Sequence, residues 1–330
     1  SEVAGYFQAG EDVSYIALTS EFGENDPYAT IFHEYLHSLT HNTMGDLPLW
    51  LNEGLAEYYS TLKVTEKDTH VLLGSPISHS IYTLRDTKVL PLQWLFSVAH
   101  ESKEYNEGDK RGIFYAESWA LIHYLMLGDG GKRRPQFQKF VGMLMQGLPA
   151  DQAFPKAFET DFKVIEKELS NYVGKTSFTA LNYKFDSKLT FDDEMTASEV
   201  SEAEANFYLG DLLAHSRRAD SEKYLQAAIK LDPEMDRAYA SLGFIRNYTG
   251  KYDEALQYLE KAVRFDKTGN NHLTYFYYAQ ALMKEGNDGH LSATDLDKEK
   301  AAKIRQSVQK AIAINPTFLP AYSLLGFLSV

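Results

Sequence analysis

The strongest constraint on the fold is a recurrence in the second half of the chain. YLQAAIKLDP at 224–233 returns as YLEKAVRFDK at 258–267, and VQKAIAINP at 308–316 supplies a third copy. Ala228 and Ala262 stand 34 residues apart, the length of one two-helix unit stacked on the next. The preceding helices correspond as well, because AYASLGF (238–244) and AYSLLGF (321–327) each place a glycine, Gly243 or Gly326, ten residues after an aligned proline, Pro233 or Pro316. Such a unit cannot bury its apolar face alone. Small residues must let neighbouring helices approach, and aromatics must fill the seams between repeats.

The first half carries no repeat, but it concentrates chemistry in IFHEYLHSLTHNTMGDLPLWLNEGLAEYYS, residues 31–60. VSYIAL at 13–18 reads as a short strand. A helix follows, with Asp26 offered as N-cap, Pro27 at its first position and Gly45 as its stop. A second helix starts near Pro48, and the short loop between them makes the two antiparallel. Residues four apart share a helix face, so His33 and His37 can point at one ion. Glu34 is rotated by about 100° from His33, outside the ligand face but able to reach a water held by the metal, which is where a general base belongs. Glu53, on the facing helix, is the third expected ligand, giving two imidazoles and one carboxylate around one zinc ion with a position left open. Glu57, one turn further, is placed to accept from the far ring nitrogen of a ligand histidine. A fourth ligand would fill the open position, so His41 reads as a surface residue near the helix end.

HEYLH followed by LPLWLNEGLAEYY is similar to the gluzincin metallopeptidases, and among them to the bacterial peptidase-MA-like families that share LPLWLNEGLAEY. The resemblance implies a thermolysin-like catalytic core reaching to about residue 173, with His33, His37 and Glu53 as zinc ligands and Glu34 as general base. FYAESWALIHYL resembles a downstream segment of these families. In related gluzincin aminopeptidases a tyrosine of a comparable segment donates to the oxyanion, and Tyr115 is the matching position. His123, two turns along, is the competing donor, and ordinary core packing is open to both. The gap between the two motifs is a little shorter than in thermolysin, and no Gly-x-Met-Glu-Asn segment of the aminopeptidase kind is present. An endopeptidase is therefore expected over an aminopeptidase, with VSYIAL as the edge that pairs with an extended peptide. The recurring units resemble the tetratricopeptide repeat family, with Lys267 in place of the usual proline and NDGHLSATDLDKEK inserted in the third unit.

Composition narrows the partners. The formal charge is −13 with no basic cluster, which argues against nucleic acid and leaves a peptide or protein substrate, with a protein partner on the repeats. No apolar run reaches the roughly 18–20 residues of a membrane span. Cysteine is absent, so a metal must be held by His and carboxylate. The chain starts at Ser1 rather than Met, consistent with a removed leader or upstream domain; a bacterial periplasmic or secreted location is expected if a leader was removed, with the cytoplasm left open. It stops halfway through a repeat, from which more chain or a covering partner is expected. Trp50 and Trp119 read as core, and GDGGKRRP (128–135) as a helix-stop turn rather than a phosphate loop.

The expected fold is thus mainly α (α+β). Residues 1–175 form a gluzincin-like metallopeptidase domain with a small sheet and a helical bundle, 176–197 a strand-containing linker, and 198–330 an α-helical tetratricopeptide array of about three and a half repeats. The rival expectation is a tetratricopeptide scaffold whose zinc domain is vestigial or regulatory.

Overall fold

The computed structural model describes residues 4–10, 13–19, 27–45, 47–65, 69–102, 105, 108–188, 199–285 and 297–328. The expected N-cap Asp26, most of the inserted segment at 287–300 and both chain ends lie outside them. Among the described residues the protein is mainly helical with two small sheets, and it divides into two compact units.

The first unit opens with β1 (Gly5–Gln8) and β2 (Tyr15–Leu18), an antiparallel pair in the register Gly5 to Leu18 and Gln8 to Tyr15. The Thr19 N–H donates to the Ala4 carbonyl at 2.9 Å. Hydrogen-bonded pairs alternate along an antiparallel ladder, so Gly5 and Phe7 direct their N–H and C=O groups to the edge of β1 away from β2.

Two helices follow, α1 (Pro27–Met44) and α2 (Leu49–Ser60). Gly45 ends α1 at φ 69°, a conformation that glycine adopts without a Cβ penalty. The Pro48 carbonyl accepts from the N–H groups of Leu51 and Asn52 to start α2. Side-chain approaches run 40 to 52, 37 to 53 and 33 to 57, so partners on α2 advance as those on α1 recede and the pair is antiparallel.

Beyond them come β3 (Lys63–Thr65), β4 (His70–Leu73), α3 (Ser78–Thr87) and α4 (Leu92–Ser97). The strand pair expected somewhere in 63–90 therefore occupies only its first part, and α3 takes the rest. The long helix α5 (Gly108–Leu127) leads into α6 (Arg134–Met145), α7 (Ala150–Phe158), α8 (Phe162–Val173) and β5 (Leu181–Lys184). β5 pairs with β4, Leu73 opposite Leu181 and His70 opposite Lys184, so the strand expected inside the linker belongs to the sheet of the first unit. Leu181 and Tyr183 alternate with Asn182 and Lys184 in sequence, and β4 supplies the ladder they lack on their own.

The core of this unit surrounds α5, whose Phe114, Trp119, Leu121, Ile122 and Leu125 are all buried. A helix that is apolar on every side belongs inside. Trp50 of α2 stacks on Phe96 with centroids 4.4 Å apart, and Phe140, Phe154 and Phe162 close the aromatic cluster.

A carboxylic acid sits in that core. Glu117 is fully buried; its Oε2 accepts from the Leu90 N–H at 3.0 Å, and its Oε1 has no partner among the described residues. Burial pushes its pKa up to about 8 from a usual 4.5, so the fold holds it neutral over a range where the unfolded chain ionises it. The stability it contributes is complete below about pH 4.5 and is lost as pH rises towards 8. Glu117→Gln should remove that loss, flattening the pH dependence of chemical unfolding between those limits by a few kcal/mol at 1.36 kcal/mol per unit. Parallel stability curves for the two proteins would show that Glu117 is not the buried acid in question.

The second unit is built from α9 (Glu202–His215), α10 (Ser221–Leu231), α11 (Asp236–Tyr248), α12 (Tyr252–Phe265), α13 (His272–Lys284), α14 (Lys298–Ile314) and α15 (Leu319–Phe327). Consecutive helices pair as α9 with α10, α11 with α12 and α13 with α14. Ala228, Ala262 and Ala311, the aligned small residues, are all buried. A Cβ at Gly210 would lie 2.7 Å from Leu225, and one at Gly243 would lie 2.5 Å from Leu259, so each glycine receives the leucine of its paired helix. Arg246 bridges Glu222 of α10 and Glu254 of α12 with contacts of 2.6 Å. Among the described residues no helix is long and apolar enough to cross a membrane.

Candidate metal centre

α1 and α2 carry the candidate ligands, and their antiparallel packing brings three donor atoms together. His33 Nε2 lies 3.4 Å from Glu53 Oε2, and His37 Nε2 lies 3.5 Å from the same oxygen. All three ligand atoms fall within 4.8 Å of one another. Glu53 is 4% exposed, yet its Oε2 forms no hydrogen bond among the described residues.

These distances bear on whether a metal fits. Ligands held at about 2.0–2.1 Å from a tetrahedral zinc stand about 3.3–3.4 Å apart along each edge, which matches the two His–Glu separations. A buried oxygen without a hydrogen-bond partner, facing two imidazole nitrogens, has the composition and spacing of a three-ligand cup. The three side chains could hold a metal ion.

The electrostatics are mutual. Burial alone would lower the His33 pKa, but the carboxylates of Glu53, Glu57 and Glu34 outweigh it and raise the imidazole above its usual value. Burial would likewise raise Glu53, yet the two histidines hold it far below the carboxylate range. Glu34 and Glu57 are both raised, chiefly by burial.

Around this cup lies a cavity of about 770 Å³, lined by β1, α1, α2 and the start of α5. Glu34, 6% exposed, opens into it and accepts a hydrogen bond from the Phe7 backbone N–H, one of the groups on the free edge of β1. The strand that borders the cavity is therefore β1, whereas the expected edge, VSYIAL, forms β2 on its far side. Glu57 stands with Oε1 3.7 Å from His33 Nδ1, close to the expected nitrogen but beyond hydrogen-bond length. The corresponding atom of His37, Nδ1, is buried without a partner among the described residues. His41 is exposed at the rim.

Tyr115 also lines the cavity, its ring 6.4 Å from that of His33. A second tyrosine intervenes. The Tyr105 hydroxyl donates to Glu53 Oε1 at 3.1 Å and lies 3.3 Å from the Tyr115 hydroxyl. Burial and the Glu53 charge push Tyr105 up to about 12 and Tyr115 higher still, so both stay protonated donors. His123, the competing donor, is fully buried elsewhere, with Nδ1 2.7 Å from Tyr172 Oη and Nε2 2.8 Å from the Gly74 carbonyl. Its role is in the core.

Residues 27–150, which hold His33, Glu34, His37, Glu53, Glu57, Tyr105 and Tyr115, match a family described as "Protein of unknown function (DUF1570)". The similarity runs from the first residue of α1 to the first of α7. No curated protein matches the sequence.

Three contributors to the site are absent from the sequence reading. Tyr105 sits in the polar run ESKEYNEGDK, where nothing in the spacing points to Glu53. The backbone of β1 has no side-chain signature at all. Arg111, whose guanidinium lies 5.9 Å from the Tyr105 ring and 5.6 Å from the Tyr115 ring, had a signal: it precedes Tyr115 by four residues and so shares its helix face.

Proposed function

We propose that this chain is a zinc-dependent peptidase that cleaves internal peptide bonds. The observation that carries the reading is the convergence of His33, His37 and Glu53 beside a buried carboxylate, Glu34, in a cavity large enough for a peptide. A zinc ion bound there would supply Lewis acidity and bring the pKa of a coordinated water towards about 7.

The chain's own residues support the remaining parts. Glu34 is positioned to accept a proton at its carboxylate and to return it to the leaving amine, and burial raises its pKa in the direction that favours proton uptake. Tyr105 orients Glu53 by occupying its outer oxygen, leaving Oε2 for the metal. Tyr115, protonated and facing the cavity, is the oxyanion donor of this reading. The outward N–H and C=O of Gly5 and the outward C=O of Phe7, whose N–H is taken by Glu34, offer part of an antiparallel ladder to an extended peptide, which favours cleavage within a chain.

The resemblance of this unit to a thermolysin-like core and of the second unit to tetratricopeptide repeats belongs to the same proposal. Paired helices with glycine and alanine at the close approaches support the repeat reading, which would recruit the protein to be cut.

Purified protein should contain close to one zinc per chain and cleave a peptide library, with cleavage abolished by chelation and restored by zinc. Metal-replete protein that leaves the library intact would favour the scaffold with a regulatory zinc site, and a chain that takes up no zinc would remove the peptidase and favour the scaffold with a vestigial one. The tyrosines should separate by readout. Tyr115→Phe should lower kcat by about 10²–10³ with metal retained, while Tyr105→Phe should weaken zinc affinity by about 10–100-fold. Equal effects of both substitutions on metal affinity would reverse the assignment of Tyr115.

A further inference from the structure

We infer that Arg111 is a specificity residue that binds a carboxylate of the substrate, a step that rests on the peptidase reading. Arg111 lies one turn before Tyr115 on α5, is half-buried and lines the cavity. No carboxylate, carbonyl or other acceptor pairs with it among the described residues. Two aromatic rings stand beside it, Tyr105 at 5.9 Å and Tyr115 at 5.6 Å.

A ring contact does not satisfy the five N–H donors of a guanidinium as an oxygen acceptor would. The carboxylates that share the cavity are committed elsewhere. Glu53 is held by Tyr105 and faces both histidines, Glu57 approaches His33, and Glu34 accepts from Phe7. A partly desolvated cation without a counter-ion is unfavourable, and its planar fork matches a carboxylate bidentately. The anion must then arrive with the ligand.

The two rings also fix where it binds. Tyr115 is 6.4 Å from the His33 ring and Arg111 is 5.6 Å from Tyr115, so the guanidinium lies within about 12 Å of the ligand histidine. At roughly 3.3 Å per extended residue, the recognised carboxylate is within about three or four residues of the scissile bond. An Asp or Glu side chain and a free C-terminus present the same group.

The test uses zinc-loaded full-length protein and synthetic peptides in matched pairs. One set differs only by Glu or Gln at each position flanking the cleaved bond, and the other only by a free or amidated C-terminus. The wild type should prefer the carboxylate member of one set by 10-fold or more in kcat/KM, mostly through KM, and the set that responds identifies the source. Arg111→Gln should bring that ratio close to one, and Arg111→Lys, which keeps charge but loses the fork, should fall between. Melting curves check that both variants fold. A wild-type ratio near one in every pair, or an unchanged ratio in Arg111→Gln, overturns the inference. If Arg111 acts only by tuning the adjacent tyrosines, its removal slows both members equally and the ratio stays put.

Should the wild type cleave no peptide, the peptidase reading fails by itself and calorimetric titration of the same pairs decides the carboxylate site. Tenfold tighter binding of the carboxylate member, abolished in Arg111→Gln, supports it. Equal or absent binding sinks it.

Discussion

Glu34→Gln is expected to retain one zinc per chain and lose about 10²–10⁴-fold in peptide hydrolysis, the contribution of a positioned general base. Gln is nearly isosteric, and its amide oxygen can still accept the Phe7 N–H that Glu34 accepts, so the geometry of β1 against α1 should survive. What disappears is the capacity to take up and return a proton. His33→Ala should behave differently, because a cup of three donors reduced to two loses metal and activity together. The same holds for His37→Ala and Glu53→Ala. Metal content by mass spectrometry, beside initial rates on one peptide, separates the two patterns. A Glu34→Gln protein that hydrolyses peptide at the wild-type rate would remove Glu34 from the reaction.

Gly54→Ala should be severely destabilising and should disable the site even in molecules that remain folded. Gly54 faces α5, and a Cβ there would lie 2.6 Å from the Ser118 carbonyl oxygen and 2.8 Å from Ile122 Cγ1. Alanine in a helix interior gains about 1 kcal/mol over glycine from backbone entropy. Overpacking costs about 1–3 kcal/mol and occasionally more, and here the obstructing atom is backbone, which cannot rotate aside. The clash wins. Separating α2 from α5 carries Glu53 away from Tyr115, which sits one turn before Ser118, so activity should fall further than the unfolded fraction explains. Denaturant midpoints and rates corrected for folded protein measure both effects. Gly45→Ala is the control. Its position has φ 69° but nothing within 4 Å of an added Cβ, so it should cost only the roughly 1–2 kcal/mol of left-handed backbone and leave the site intact. Equal stability of Gly54→Ala and the parent would show that the two helices have room to spare.

That glycine shows how far a linear reading reaches. In the Asn-Glu-Gly sequence the glutamate is legible as a candidate ligand from its place on a helix facing His33 and His37. The glycine next to it carries no such message. Its role depends on α5, more than fifty residues away, crossing α2 at close range. Tyr105 and β5 behave in the same way. β5 alternates visibly from Leu181 to Lys184, but its assignment to the first unit requires β4 as partner. His123 had the residue type of a donor and the wrong address, with both ring nitrogens engaged by Tyr172 and Gly74.

The sequence by itself determined what one or two helical turns can encode: the shared face of His33 and His37, the offset of Glu34, the stop at Gly45 and the recurrence that pairs the helices of the second unit. Those are periodic properties of a local backbone, and local geometry is the same in any fold. Only the tertiary structure decided that β1 rather than β2 borders the cavity, that Tyr105 occupies the outer oxygen of Glu53, and that Arg111 has two rings beside it and, among the described residues, no acid paired with it. Each of these is a contact between segments distant along the chain, and such contacts are set by packing around α5 rather than by the spacing of residues.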